Sequence, residues 1–391
     1  MTPLASSADL ATLAERAGRA GRLGIDTEFM SEGRYRPLLC LVQVVAPDGE
    51  SGDIALADPL VADAPDFAPL ARALADPSVE VVVHAGRQDV AILRREWDTE
   101  VTALFDTQVA AGFAGFAAQA GYGSLLSGAL RLTVPKTASY TRWDARPLTE
   151  EQLSYARGDV EHLLQLRDEL ARRLTRAGRL DWALEECRAL AVSSDVRDPL
   201  ECWRRLPKVT SLSARQRAVA RELAAWRERT AEEQDKPVGS IVQDAALVEI
   251  ARRQPRDPGA LGDIRGVHQG IVRRRGKEIA AAVERGRVAE PIPGERGQGR
   301  GDPRDAPLVS LSDAFVRTRA LDSGLASELV ATRADLARIV AAVRLREPEP
   351  DVRTLRGWRR ELAGEDLLGL LRGRRALSVG EGGTVVDAPT G

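Results

Sequence analysis

A chain of 391 residues, 43% hydrophobic and 29% charged, is long enough for two or three globular domains with buried cores, which excludes a single small module and global disorder. No run approaches the roughly 18 to 20 apolar residues of a membrane span, and the start lacks a basic segment followed by an apolar one, so a cytoplasmic protein without a membrane partner is predicted. The net charge of −2 divides into −9 over residues 1–200, +6 over 201–290 and +1 over 291–391, as expected if one part holds cations and the next a polyanion, ordinary surface variation being the plain alternative.

Over the first 110 or so residues apolar runs alternate with helical patterns. RLGIDTEFM, LLCLVQVVA and VEVVVHA have the length and β-branched content of buried strands, VTALFDT reads as a further short strand, and PDFAPLARALADP and RQDVAILRREW have helical spacing. This alternation predicts an α/β domain. A loop is expected around TVPKTASYTRWDARP. A long helix then begins after Pro147, with Thr149 and Gln152 spaced as a capping box and an apolar stripe from Leu153 to Leu174. After Asp198 the strand signal nearly disappears. Residues 199–288 read as one compact all-α domain, 289–307 as a Pro- and Gly-rich linker, 308–377 as a second small helical domain, and 378–391 as a disordered tail.

Chemistry in this chain has to run on carboxylates. Three histidines and three widely spaced cysteines, Cys40, Cys187 and Cys202, support neither a disulfide framework nor a zinc site. Asp26 and Glu28 lie two apart in an apolar strand, so both project from one face. Burying two like charges together is costly unless a cation neutralises them, although a solvated strand end would also explain the pair. Asp89 falls in the first turn of a helix after a strand, where an acid also offsets the helix dipole. Tyr155 and Asp159 are four apart on the long helix and share a face, which a solvated polar face would equally explain. Together these residues supply four carboxylates and a phenol from separate elements, the donor set for hard cations such as Mg²⁺ in phosphodiester cleavage.

The ordered strings LGIDTEFM, HAGRQDVAIL and YARGDVEHLL resemble the three exonuclease motifs of the DEDD superfamily in its DEDDy form, and the wider wording resembles the ribonuclease D family. Supporting strings are DPL at 58–60, FDTQVAAGFAG at 105–115 and TRWDARPLTEEQLSYA before the third motif. Over residues 1–190 the resemblance implies a ribonuclease H-like fold and 3′-to-5′ removal of nucleotides as 5′-monophosphates. It implies two divalent ions, Mg²⁺ or Mn²⁺, with Asp26, Glu28 and Asp159 holding the first, Asp26 bridging to the second, and Asp89 helping to hold that second ion. Tyr155 would orient the attacking water, since a phenol of ordinary pKa near 10 is a poor base at neutral pH. Arg142 departs from the acid usual before Trp143, which bears on substrate contacts and not on the metal set.

Residues 202–286 resemble the helicase and RNase D C-terminal (HRDC) domain, through RQRAVARELAAWRERTAEEQDKPVGSIVQDAALVEIARRQP and GVHQGIVRRRGKEI. Within it Arg273, Arg274, Arg275 and Lys277 cluster as cations do against phosphate backbones, a solvated helix face being the alternative. The 308–375 segment is weakly similar to a second HRDC-like domain. The whole implies an exoribonuclease acting on single-stranded 3′ ends of tRNA precursors and other structured RNAs. A 3′-to-5′ DNA exonuclease and a non-catalytic nucleic-acid binder are the competing readings, the second opposed by the intact set of five site residues.

Overall fold

The computed structural model describes residues 4–48, 52–133, 142–294, 302–380 and 385–389. The loop expected at 133–147 lies partly outside the described residues, at 134–141, as does the linker at 295–301. Helix α1 (Ser7–Ala20) opens on a capping box between Ser6 and Asp9, buries Leu10, Leu13 and Ala17, and ends at Gly21, whose φ of 70° suits glycine. Strands β1 (Arg22–Met30), β2 (Leu38–Ala46) and β3 (Asp53–Ala57) form an antiparallel meander. After helix α2 (Ala68–Ala75), β4 (Glu80–Val83) pairs in parallel with β1, and after α3 (Arg87–Glu96), β5 (Leu104–Asp106) pairs in parallel with β4. The mixed sheet therefore has the order β3-β2-β1-β4-β5. Strand β2 is buried on both faces, which is why it reads as a nearly continuous apolar run.

Helices α4 (Thr107–Phe113) and α5 (Tyr122–Leu125) lead to α6 (Glu150–Glu161), which opens on the expected box between Thr149 and Gln152. The single long helix predicted from Pro147 is in fact two, because α6 ends at His162 and α7 (Leu163–Arg176) starts there. The His162 backbone N–H donates to the Tyr122 hydroxyl at 3.2 Å, and the break lets α6 lie over β1 and β2 while α7 crosses β4. Gly24 makes that crossing close, since a Cβ there would meet Val45 and Leu163 at 2.6 and 3.1 Å. Helix α8 (Leu180–Ala191) completes the domain, in the arrangement the ribonuclease H-like resemblance implies.

The basic module contains α9 (Ala214–Glu233), α10 (Val238–Ile241), α11 (Asp244–Arg253) and α12 (Gln269–Val288) around its own core of Leu223, Trp226, Ile250 and Ile279. Gly286 brings α12 against α9, where a Cβ would stand 2.4 Å from the Val219 Cα. The module is tied to the β1–β2 loop: the Tyr35 hydroxyl donates to Glu228 at 2.9 Å, Arg34 pairs with Asp235 at 2.7 Å, and Arg36 pairs with Glu232.

The C-terminal region is helical, with α13 (Asp305–Asp322), α14 (Ser327–Val330), α15 (Arg333–Leu345), α16 (Gly357–Arg359) and α17 (Glu365–Leu371). It shares one apolar core with the α/β domain. Trp358 is buried edge-on to Phe113 at 5.0 Å and stacked on Trp182 at 5.2 Å. Its indole N–H donates to Glu186 at 3.0 Å, and Arg359 donates to the same carboxylate at 2.8 Å. The tail expected to be disordered instead forms a hairpin of β6 (Arg375–Val379) and β7 (Val385–Pro389), residues 381–384 and 390–391 lying outside the described residues. What orders it is Asp387, whose largely buried carboxylate receives hydrogen bonds from Arg375 and Arg319 at 2.6 Å each. No helix among the described residues is long and apolar enough to cross a membrane.

Candidate active site

β1 carries Asp26 and Glu28, and their two-residue spacing directs both toward α6, whose second half presents Asp159. Oxygens of these three carboxylates lie within 4.8 Å of one another. Asp89 approaches from the side, outside that group of three but near enough for its charge to raise Asp26 and Glu28. β4 pairs with β1 only through Arg22, Leu23 and Gly24, so beyond Gly24 this edge of β1 is open to the first turn of α3. There Asp89, 8% exposed, accepts a hydrogen bond from the Thr27 hydroxyl at 2.5 Å. Tyr155 stands one turn before Asp159, is hydrogen-bonded to it, and has the Trp143 ring 6.1 Å away.

The loop before α6 is held by a buried ion pair. Arg146 from the TRWDARP string donates to Asp58 of the DPL string at 2.6 Å and to the Cys40 carbonyl at 2.7 Å. Arg142 stands exposed and pairs with Asp144 at 3.0 Å. Two contributors were missing from the sequence reading: Thr27, which ties down Asp89, and Gln43, the cross-strand partner of Asp26. Gln43 is fully buried, and neither amide atom has a hydrogen-bond partner among the described residues. A polar residue facing a strand acid was a signal available in LLCLVQVVA.

Every acid here is pushed toward its neutral form. Burial, then repulsion from Asp89, Asp159 and Glu28, holds Asp26 well above the carboxylate range. Burial first and then Asp159 and Asp89 raise Glu28 to about 8. Burial raises Asp159 to about 7 against the lowering effect of its bond to Tyr155. Asp89 is raised by burial, with the Thr27 hydroxyl opposing, and Tyr155 is raised by burial and by the adjacent carboxylates. Acidic oxygens crowded at one point, each costly to ionise alone and with no nitrogen or sulfur donor among them, fit a hard divalent cation.

The basic cluster is elsewhere, on α12. Arg273, Arg274 and Lys277 are exposed, whereas Arg275 is partly occupied by Glu278 at 3.1 Å.

A family model described as a 3′-5′ exonuclease matches residues 1–175, and one described as the HRDC domain matches residues 216–283. Ribonuclease D of Gluconacetobacter diazotrophicus is 38% identical over 382 residues, 96% of this chain and 94% of that protein. Ribonuclease D of Acidiphilium cryptum is 38% identical over 387 residues, 97% of this chain and 95% of the relative. Among solved structures, Escherichia coli RNase D, described as an exoribonuclease involved in structured RNA processing, superposes with a TM-score of 0.83 at 31% identity, covering 94% of this chain and 98% of that one.

Proposed function

The chain belongs to the ribonuclease D family and is a 3′-to-5′ exoribonuclease, and we propose that Asp26, Glu28, Asp89 and Asp159 hold two divalent ions, Mg²⁺ or Mn²⁺, at the 3′ end of its RNA substrate. The observation that carries this reading is the meeting of three carboxylates from β1 and α6 within 4.8 Å. Bound divalent metal would neutralise these acids, acidify a water for attack, and stabilise charge on the attacking and leaving oxygens. Asp26, which is repelled by all three of the other acids, would contribute to holding both ions. Thr27 fixes the Asp89 carboxylate from the edge of β1. Tyr155 keeps its proton at neutral pH, so it acts as a hydrogen-bond donor that positions Asp159 and the attacking water, not as a base.

Residues 1–198 cut and residues 199–288, with Arg273, Arg274, Arg275 and Lys277, grip the RNA body through its phosphates. 5′-Monophosphates are the product. tRNA precursors and other structured RNAs are the substrates that fit this division, and the cytoplasm is where they are met. Asp26→Asn and Asp159→Asn are each expected to slow metal-dependent shortening of a 5′-labelled RNA by at least about 10³-fold, ~4 kcal/mol of barrier, with the RNA still bound. Trimming by both variants at the wild-type rate would remove the assignment. A DNA strand of equal length run beside the RNA reads the sugar preference.

A further inference from the structure

A cavity of about 490 Å³ opens where α3, the segment 193–198 and the start of the basic module meet. Arg87, Arg197 and Arg205 line it together with Asp195, Asp198 and Glu201. The formal charges cancel, but the partners do not. Asp195 is ion-paired with Arg95 and Glu201 with Arg204 at 2.5 Å, which leaves Asp198, accepting the Leu200 N–H at 2.8 Å, as the one lining carboxylate without an ion pair among the described residues, against three arginines. The three lining arginines are all exposed, and among the described residues none makes an ion pair or a hydrogen bond. Ser193, 8% exposed, also lines the cavity, and its hydroxyl has no partner among the described residues.

We propose that this cavity is a phosphate-backbone subsite that takes the RNA chain upstream of its 3′ end, with Arg87, Arg197 and Arg205 contacting successive phosphates. Guanidinium groups left without counter-ions around a hollow are suited to forked contacts with phosphate oxygens. The Ser193 hydroxyl adds a donor. Arg87 opens the helix that carries Asp89, and two residues along a helix turn through about 200°, so the two side chains leave α3 on opposite sides of a helix about 10 Å thick. That offset keeps the subsite clear of the cut bond and within reach of nucleotides preceding it. The module begins at this same cavity, so the subsite bridges the cutting and gripping parts.

The inference rests on the exoribonuclease reading, and the experiment separates the two. In EDTA, binding of a fluorescent 12-nucleotide RNA to full-length protein is measured against salt concentration for wild type and for the Arg87→Gln, Arg197→Gln, Arg205→Gln triple variant. Each phosphate contact on a single strand contributes about 0.7 to the log–log slope, so the slope should become shallower by about 2, with at least a tenfold loss of affinity at ~0.1 M salt. Arg204→Gln, which removes a cation already paired, should leave the slope as in wild type. An unchanged slope in the triple variant, or an equal change in Arg204→Gln, overturns the subsite. If the triple variant does not fold, Arg197→Gln alone carries the test with a slope change of about 0.7. Wild type assayed with Mg²⁺ on the same RNA reads the other question, since failure to trim it would sink the exoribonuclease reading whatever the slopes show.

Discussion

Asp26, Glu28 and Asp159 weaken the fold that displays them, and the sign of that effect is measurable. Unfolded, Glu28 and Asp159 titrate near 4.5 and 3.8; folded, they titrate near 8 and 7. The folded chain therefore retains protons the unfolded chain has lost, and stability falls as pH rises from about 4 to about 8. A divalent ion that requires the ionised acids should restore it. The midpoint of thermal unfolding in EDTA is expected to drop between pH 5 and pH 9, and the increment gained with Mg²⁺ or Mn²⁺ to grow over the same interval. An increment independent of pH would mean that the ions bind elsewhere. At this scale much was legible in the sequence: the two-residue strand period placed Asp26 with Glu28, and the four-residue helical period placed Tyr155 with Asp159. Thr27 was not legible, because its bond to Asp89 depends on β4 stopping short of half of β1.

Elements were readable where their boundary chemistry was local. The capping box at Thr149 and the β-branched runs of β1, β2 and β4 rest on neighbouring residues, and they appear where expected. The division of α6 from α7 depends on a hydroxyl from Tyr122, forty residues earlier, and the final hairpin depends on arginines from two separate elements meeting Asp387. Neither leaves a local mark. One close helix contact rests on a glycine, where a methyl group at Gly286 would fall 2.4 Å from backbone of α9. Gly286→Ala should force the two helices apart and cost about 1 to 3 kcal/mol, as overpacking does. Urea unfolding followed by tryptophan fluorescence reads that loss, with Trp226 inside the affected core; a midpoint equal to wild type would show that the helices can shift freely.

For the whole molecule, the acidic and basic parts keep separate apolar cores although ion pairs join them, whereas the C-terminal helices do not have a core of their own. They complete the α/β domain through Trp358, and Glu186 binds both Trp358 and Arg359. Trp358→Ala is expected to destabilise that combined core by about 3 to 5 kcal/mol, with the loss seen in global unfolding and in soluble yield. A loss under about 1 kcal/mol would mean that the docking is peripheral. Composition could separate basic from acidic, yet it could not show which helices share a core, since apolar residues carry no address for their partners.

That shared core has a consequence during synthesis. The α/β domain leaves the ribosome with the face around Phe113 and Trp182 uncovered, and Trp358 follows roughly 175 residues later. At about 5 to 20 residues per second, this nascent face waits on the order of 10 to 35 s for its cover, while the basic module between them has already closed around its own core. Chaperone occupancy should therefore peak while the module is being made, on the domain that precedes it.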